Sequence, residues 1–371
     1  MRVQLVDPSA YTPPYDHALA AGLVRAGAEV ELVTSRFVHG VRPPTEGFAV
    51  SERFYRRTTA RALGRTARRL MRAVEHVPDM LRYRSHAAEA DVRHFQWLAL
   101  EPLDSLLLPP GRPRVFTVHN TLRRGEGRAR ELATRRLIER MDALVVHAQA
   151  GARELTERFG ADPGKVRVIP HGAFDYLTRL PHEDSLPQEL RDVEGPVILL
   201  FGLVRPYKGA DVLLEAFAGL ETEAELWVVG LPHMDMAPLR TIAARARGTV
   251  RFVERFVTDP EIPAFFRRAD LVVLPYRRID QSGVLYTALA FGKALVLSDV
   301  GGFGEVGREH GAAQLVPPED PVALREALDR LLADPSEREA LGARAAAAAA
   351  GPFSWDDIAR RTLSLYEELV G

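Results

Sequence analysis

"VILLFGLVRPYKGADVLLEAF", residues 197 to 217, is the stretch from which the fold can be read. Val197 to Phe201 are apolar without alternation and too few for a helix, the pattern of a strand covered on both faces of a parallel sheet. Gly202 ends the run, a short loop carries Arg205 and Lys208, and Gly209 precedes a segment in which Val212, Leu213 and Phe217 recur at helical spacing. Strand, glycine-bounded loop and helix N-terminus make an anion site, because fixed cations and free backbone N–H groups offset the desolvation of a diphosphate. The plainer reading is two solvated loop charges; the strand and helix on either side favour the phosphate.

The same alternation runs through the chain. In the first half, strand-like runs fall at Arg2–Val6, Glu29–Thr34, Val92–Gln96, Arg114–His119, Ala143–His147 and Val166–Pro170. In the second they fall at Val197–Phe201, Glu225–Val229, Val250–Phe252, Leu271–Pro275, Ala294–Leu297 and Ala313–Val316. Helical patterns separate them, which predicts two α/β units with parallel sheets and right-handed crossovers. A length of 371 residues also exceeds what one core usually serves. His171 to Gly195, rich in proline and acid and without a period, reads as the linker, with His171 and Gly172 as a turn at the hinge. The Ala-rich segment 338–350 reads as helix, and Ser354 stands where it would cap a last helix, Asp356–Val370.

Bulk properties narrow the function. With 49 Lys and Arg against 50 Asp and Glu the net charge is -1, so a charged partner must be held by a local patch. The absence of cysteine excludes disulfides, thiolate metal sites and a cysteine nucleophile, and agrees with a cytoplasmic protein. No apolar run approaches a membrane span, and Met1 to Asp7 reads as a strand rather than a signal peptide. No Gly-x-Gly-x-x-Gly follows Val6, which disfavours a dinucleotide-dependent dehydrogenase.

A second junction, "RRIDQSGVLYTALAFGK" at 277–293, passes from a strand-like run into a helix through Asp, Gln, Ser and Gly. A helix opening there presents free N–H groups to an anion, although an ordinary capped turn has the same composition.

The pattern Gly202-Leu-Val-Arg205-Pro-Tyr-Lys208-Gly209, followed by Leu213, Leu214 and Ala216, resembles the donor-phosphate loop of the family 4 glycosyltransferases of GT-B fold. Further matches follow in that family's order: "VHN" at 118–120, "VIPHG" at 168–172, "ADLVVLPY" at 269–276, "SGVLYTALAFGKALVLSDVGG" at 282–302 and "FSWDDIARRTLSLYEEL" at 353–369. The resemblance implies two Rossmann-like doubly wound domains facing a cleft, at 1–172 on the acceptor side and 173–352 for the nucleotide sugar. It also implies a last helix, 353–371, crossing back to the first domain. It implies sugar transfer from a nucleotide diphosphate sugar to a hydroxyl acceptor (glycan, lipid-linked or small molecule) with retention. No cofactor and no bound metal are implied, and no two aspartates are separated by one residue.

The implied donor site comprises Gly202, Gly209, Asp280, Ser282, Gly283, Val284 and Thr287, with Arg205 and Lys208 stabilising the leaving diphosphate and His119 bonding the transferred sugar. The family usually has two glutamates seven residues apart, the second on the donor ribose. Here those positions are Ile279 and Thr287, or in the next register Asp280 and Ala288, which leaves Asp280 or Thr287 as the substitute. Where the family has paired glycines after the first strand, this chain has a proline-stiffened loop whose Tyr11, Tyr15 and Asp16 are candidates for the acceptor side.

Ten arginines lie between Arg53 and Arg84 against only Glu75 and Asp79, while Leu63, Ala67, Leu70, Met71 and Val74 recur at helical spacing. Such a helix either packs its stripe on the first sheet, the reading preferred for its modest bulk, or lies against an anionic inner membrane surface as a peripheral contact. Nucleic acid is disfavoured by the neutral chain and the lack of a matching motif. Two rivals to a transferase stand beside it: a non-catalytic nucleotide-sugar or protein binder that has lost the glutamates, and a GT-B epimerase.

Overall fold

The computed structural model describes residues 1–38, 43–60, 64–99, 101–119, 128–279 and 281–371. They form two compact units, Met1–His171 with Trp355–Gly371, and Gly172–Ser354.

The first unit is built on seven parallel strands: β1 (Arg2–Asp7), β2 (Glu29–Ser35), β3 (Ala49–Phe54), β4 (Val92–Phe95), β5 (Arg114–Thr117), β6 (Ala143–Val146) and β7 (Val166–Val168), in the order β3-β2-β1-β4-β5-β6-β7. The second has six: β8 (Val197–Phe201), β9 (Glu225–Val229), β10 (Thr249–Val253), β11 (Leu271–Leu274), β12 (Ala294–Ser298) and β13 (Gln314–Val316), in the order β10-β9-β8-β11-β12-β13. Each order reverses once, between β1 and β4 and between β8 and β11, and in doubly wound sheets ligands bind beyond the strand carboxyl ends at that reversal.

Side-chain alternation divides each sheet between two cores. Val197, Leu199 and Phe201 join Trp227, Phe265 and Leu289 on one face of the second sheet, while Ile198 and Leu200 join Leu213, Phe217 and Leu328 on the other. The strand read from the opening stretch is therefore apolar at every position because both faces are covered. In the first unit the helix Trp355–Val370 buries Trp355, Ile358, Ala359, Thr362, Leu365 and Tyr366 as one stripe against the helix Pro13–Arg25. A Cβ at Gly22 would lie 2.7 Å from the Trp355 carbonyl oxygen, so only glycine permits that approach.

Twelve of these strands overlap the runs expected from sequence, with ends differing by a residue or two. β3 was missed: its sequence, Ala-Val-Ser-Glu-Arg-Phe, is half polar because it lies at the sheet edge, where one side needs no apolar cover. The stretch from His171 to Gly195 is not an open linker. It buries Ala173, Leu177 and Leu190, and forms a turn of 3₁₀ helix at Asp175–Arg179 and a short helix at Gln188–Arg191. The preferred packing of the basic stripe also fails in part. Leu63 lies outside the described residues, and Leu70 and Val74 are each 69% exposed on the helix Arg65–His86. The residues that anchor this helix are His76, Asp79, Met80 and Tyr83, all buried.

Candidate functional site

At the β8 end of the second sheet the chain turns through Gly202 (φ +92°) into a single 3₁₀ turn, Pro206–Lys208, and then through Gly209 (φ +66°) into the helix Ala210–Ala218. Both glycines are required. A Cβ at Gly209 would lie 2.0 Å from the Pro275 carbonyl oxygen, and one at Gly202 would lie 3.0 Å from Lys208 Nζ and 3.1 Å from Val284 Cγ2. The loop after β8 thus lies directly on the N-terminus of the helix Gly283–Ala290, two segments far apart in sequence.

Lys208 is the electrostatic centre of this site. It is only 7% exposed, and no carboxylate among the described residues lies within ion-pair distance of it. Its ammonium sits over the Tyr276 ring, 5.2 Å from the centroid. Burial first, and then the nearby Arg205 charge, lower its pKa from 10.5 to about 8. Half-buried Arg205 also has no acidic partner among the described residues. An unpaired buried cation is costly in a ligand-free protein, and an anionic ligand removes the cost.

Across from it, Ser282 enters the helix in extended conformation (φ -136°, ψ 119°) and makes no side-chain cap. Its hydroxyl lies 3.4 Å from that of Tyr276. The Ser282 carbonyl accepts from Leu285 and Tyr286, whereas the Gly283 and Val284 N–H groups meet no acceptor among the described residues. These are the orphan donors of a helix start, whose Val284 side chain shares the surroundings of Gly202 with Lys208 Nζ. Buried Thr287 donates its hydroxyl to the Gly283 carbonyl at 2.9 Å, which leaves its lone pairs to accept a bond. Asp280 lies outside the described residues.

Sequence reading passed over the brace of this loop. Arg277, just after β11, forks onto Asp211 at 3.0 and 2.6 Å, donates to the Pro206 carbonyl at 2.7 Å and reaches Glu319 at 2.8 Å. It ties the 3₁₀ turn and the following helix to the reversal point of the sheet. An arginine at a strand end among other loop charges gives no sign of this in sequence.

The first unit carries polar groups at the carboxyl edge of its own sheet. His94 on β4, His119 after β5, His147 after β6 and His171 after β7 are all at the carboxyl ends of four adjacent strands. His119 Nδ1 is 3.1 Å from His147 Nε2, His147 Nδ1 is 3.0 Å from the Ile169 carbonyl oxygen, and His119 Nε2 is 3.3 Å from Gln96 Oε1. Trp97 stacks on His119 with centroids 4.7 Å apart and planes 8° apart. Burial, aided for His119 by the neighbouring imidazoles, pushes the pKa of His119 well below its ordinary value, that of His147 to about 4 and that of His94 to about 3. The rings are therefore neutral at pH 7. Among the described residues no group of His, Asp and Glu has the arrangement of a metal site. Asn120, from the "VHN" motif, lies outside the described residues.

Of the proposed acceptor residues, Tyr11 is exposed and packs on Trp97, centroids 4.4 Å apart. Tyr15 is buried among His119, His147, His171 and Trp355. Asp16 is buried beside Asp7. Asp7 accepts from the Ser9, Tyr11 and Thr12 N–H groups, so it is the member of the pair that holds the charge, while desolvation and Asp7 raise the Asp16 pKa and keep its proton. The clustering of strand-end histidines is the legible sign of His147 in the sequence.

Comparison with known proteins agrees with this fold. A family model described as "Glycosyl transferases group 1" matches residues 195–334, and one described as "Glycosyltransferase Family 4" matches residues 15–173. A D-inositol 3-phosphate glycosyltransferase of Xylanimonas cellulosilytica is 29% identical over 94% of this chain and 89% of its own. One from Jonesia denitrificans is 33% identical over 65% of this chain, which spans only 60% of that relative's length. The crystal structure of Anabaena HepE in complex with UDP-glucose matches with a TM-score of 0.72 and 19% identity over 100% of both chains. Two doubly wound parallel sheets, matched over the full chain in this way, define a GT-B protein. The chain belongs to the family 4 glycosyltransferases, retaining enzymes of that fold.

Proposed function

We propose that the protein transfers a sugar from a nucleoside diphosphate donor to a hydroxyl acceptor with retention of configuration. One observation carries this: the buried Lys208 ammonium lacks a counter-ion among the described residues, and it flanks Gly202 together with the Val284 side chain of a helix whose first N–H groups are unused. A diphosphate supplies both missing interactions. Arg205 and Lys208 stabilise the leaving group as its charge grows, the Gly283 and Val284 amides hold a phosphate, and Gly202 and Gly209 let the backbone come close. Thr287, with Asp280, takes the ribose in place of the family's glutamate. His119 bonds the transferred sugar, and the Tyr11, Tyr15 and Asp16 loop serves the acceptor. With no carboxylate assigned as nucleophile, the acceptor oxygen forms its bond to the anomeric carbon on the face from which the diphosphate leaves. A leaving phosphate oxygen takes the acceptor proton.

Anabaena HepE, bound to UDP-glucose, supports a nucleotide-sugar donor, and the relatives' name supports a polyol hydroxyl as acceptor. The test is incubation with UDP-, GDP- and ADP-sugars, with and without D-inositol 3-phosphate, followed by nucleotide release. Slow release without acceptor is expected. No release with any donor favours the non-catalytic binder, and an isomerised donor favours the epimerase.

A second reading concerns location. Among the described residues no helix is long and apolar enough to cross a membrane. Leu70, Val74 and Leu81 are nonetheless exposed on the arginine-rich helix Arg65–His86. This combination favours peripheral contact with an anionic bilayer. Co-sedimentation with anionic but not zwitterionic vesicles, reduced tenfold or more by Leu70→Glu with Val74→Glu, is the expected result. Equal sedimentation with both vesicle types refutes it.

A further inference from the structure

His119 has two ring nitrogens, and what it can do for a substrate depends on which one carries the hydrogen. A neutral imidazole donates from one nitrogen and accepts at the other. His147 settles the choice from behind. Its Nδ1 is 3.0 Å from the Ile169 carbonyl oxygen, an atom that only accepts, so Nδ1 carries the hydrogen and Nε2 holds the lone pair. That lone pair is 3.1 Å from His119 Nδ1, which must therefore donate. His119 Nε2 is left as an acceptor.

Gln96 fits the same direction. Its Oε1 is the atom 3.3 Å from His119 Nε2, two acceptors face to face, while its buried amide nitrogen has no partner among the described residues. A half-turn of the amide brings that nitrogen onto His119 Nε2 and resolves both. The stacked Trp97 and the edge-on Tyr15, 4.8 Å away, hold the ring plane.

We propose that His147, anchored on the Ile169 carbonyl, is a positioning residue that holds His119 in its Nδ1–H form. His119 Nε2 is thereby kept as a hydrogen-bond acceptor, occupied by the Gln96 amide until a substrate hydroxyl replaces it. The substrate's part rests on the transferase reading above; the tautomer does not.

Two-bond ¹H–¹⁵N correlation spectra of ¹⁵N-histidine-labelled protein read the tautomer directly, with the His119 signals assigned by their loss in His119→Asn. In the ligand-free protein His119 and His147 should both show Nδ1–H. His147→Phe, which removes the accepting lone pair, should release His119 to the Nε2–H form and lower kcat tenfold or more with less change in donor KM. His147→Gln, whose side-chain oxygen can take the place of Nε2, should restore Nδ1–H and much of the rate. An Nε2–H form of His119 in the unsubstituted protein overturns the proposal, and so does an unchanged His119 tautomer in a folded His147→Phe. If the tautomers are as expected but no nucleotide sugar is consumed, the transferase reading fails and the relay stands.

Discussion

Replacing Lys208 with Met should weaken the protein's function and strengthen its fold. With the folded pKa at about 8 against 10.5 for the free side chain, the protonated form at pH 7 carries a folding penalty of about 3 kcal/mol. Methionine, similar in length and uncharged, removes that penalty and forfeits a cation–π contact worth about 1 kcal/mol, for a net gain of about 2 kcal/mol. A gain of that size raises Tm by roughly 4–8 °C for a unit of this size. The sign follows from linkage. Below pH 8 the lysine is protonated whether folded or unfolded, so the penalty is present in full. Between pH 8 and 10.5 the folded chain releases its proton first, and the advantage of Lys208→Met shrinks. On the ligand side, a charge-assisted hydrogen bond to phosphate contributes about 1.5–3 kcal/mol, or roughly 10- to 150-fold in donor affinity. Scanning calorimetry at pH 7 and pH 9.5, with and without UDP, GDP or ADP, reads both effects. A ligand-free Tm that falls on substitution, or an undiminished rise with nucleotide, refutes the reasoning.

Donor affinity of the unsubstituted protein should fall as pH rises through about 8, where free Lys208 loses its charge, and Lys208→Met should lose that dependence in a titration of nucleotide binding. Gly209→Ala forces a Cβ to 2.0 Å from a carbonyl oxygen in a left-handed backbone, so denaturant melts should show a loss above about 2 kcal/mol, whereas Gly195→Ala, with nothing near its Cβ, should change little. Arg277→Lys keeps the charge but not the fork onto Asp211; we expect a loss of about 1 kcal/mol in stability and weaker nucleotide binding, and unchanged binding would remove Arg277 from its bracing role. His94, hydrogen-bonded with Tyr366 and Thr117, takes up its proton only near pH 3 when folded but at about 6.5 when unfolded. The first unit should therefore lose stability as pH falls from 6.5, by up to about 5 kcal/mol from this group, and His94→Gln should flatten that slope in pH-dependent melts.

The succession of strands along the chain and the glycine-bounded cationic loop after β8 were legible because they depend on local pattern. A strand covered on both sides must be apolar throughout, a tight turn into a helix needs glycine, and both occur within the twenty-one residues 197–217. β3 was illegible because an edge strand is under no such demand. The apolar stripe of the helix Arg65–His86 was visible as a pattern, but periodicity cannot say what covers it; in the folded unit Leu70 and Val74 face outward, while His76 and Asp79 make the anchoring contacts.

What the sequence determined by itself was therefore the two doubly wound sheets, the glycosyltransferase family and the glycine-bounded cationic loop after β8. Only the tertiary structure decided that Lys208 has no acidic partner among the described residues, that Arg277 braces the loop from another strand, and that His147 sets the hydrogen on His119. These depend on distances between residues 28 to 71 positions apart in the chain, as for His119 with His147 and Arg277 with Pro206. Charge state and hydrogen-bond direction respond to such distances within a few ångströms, and no local pattern of residue types encodes them.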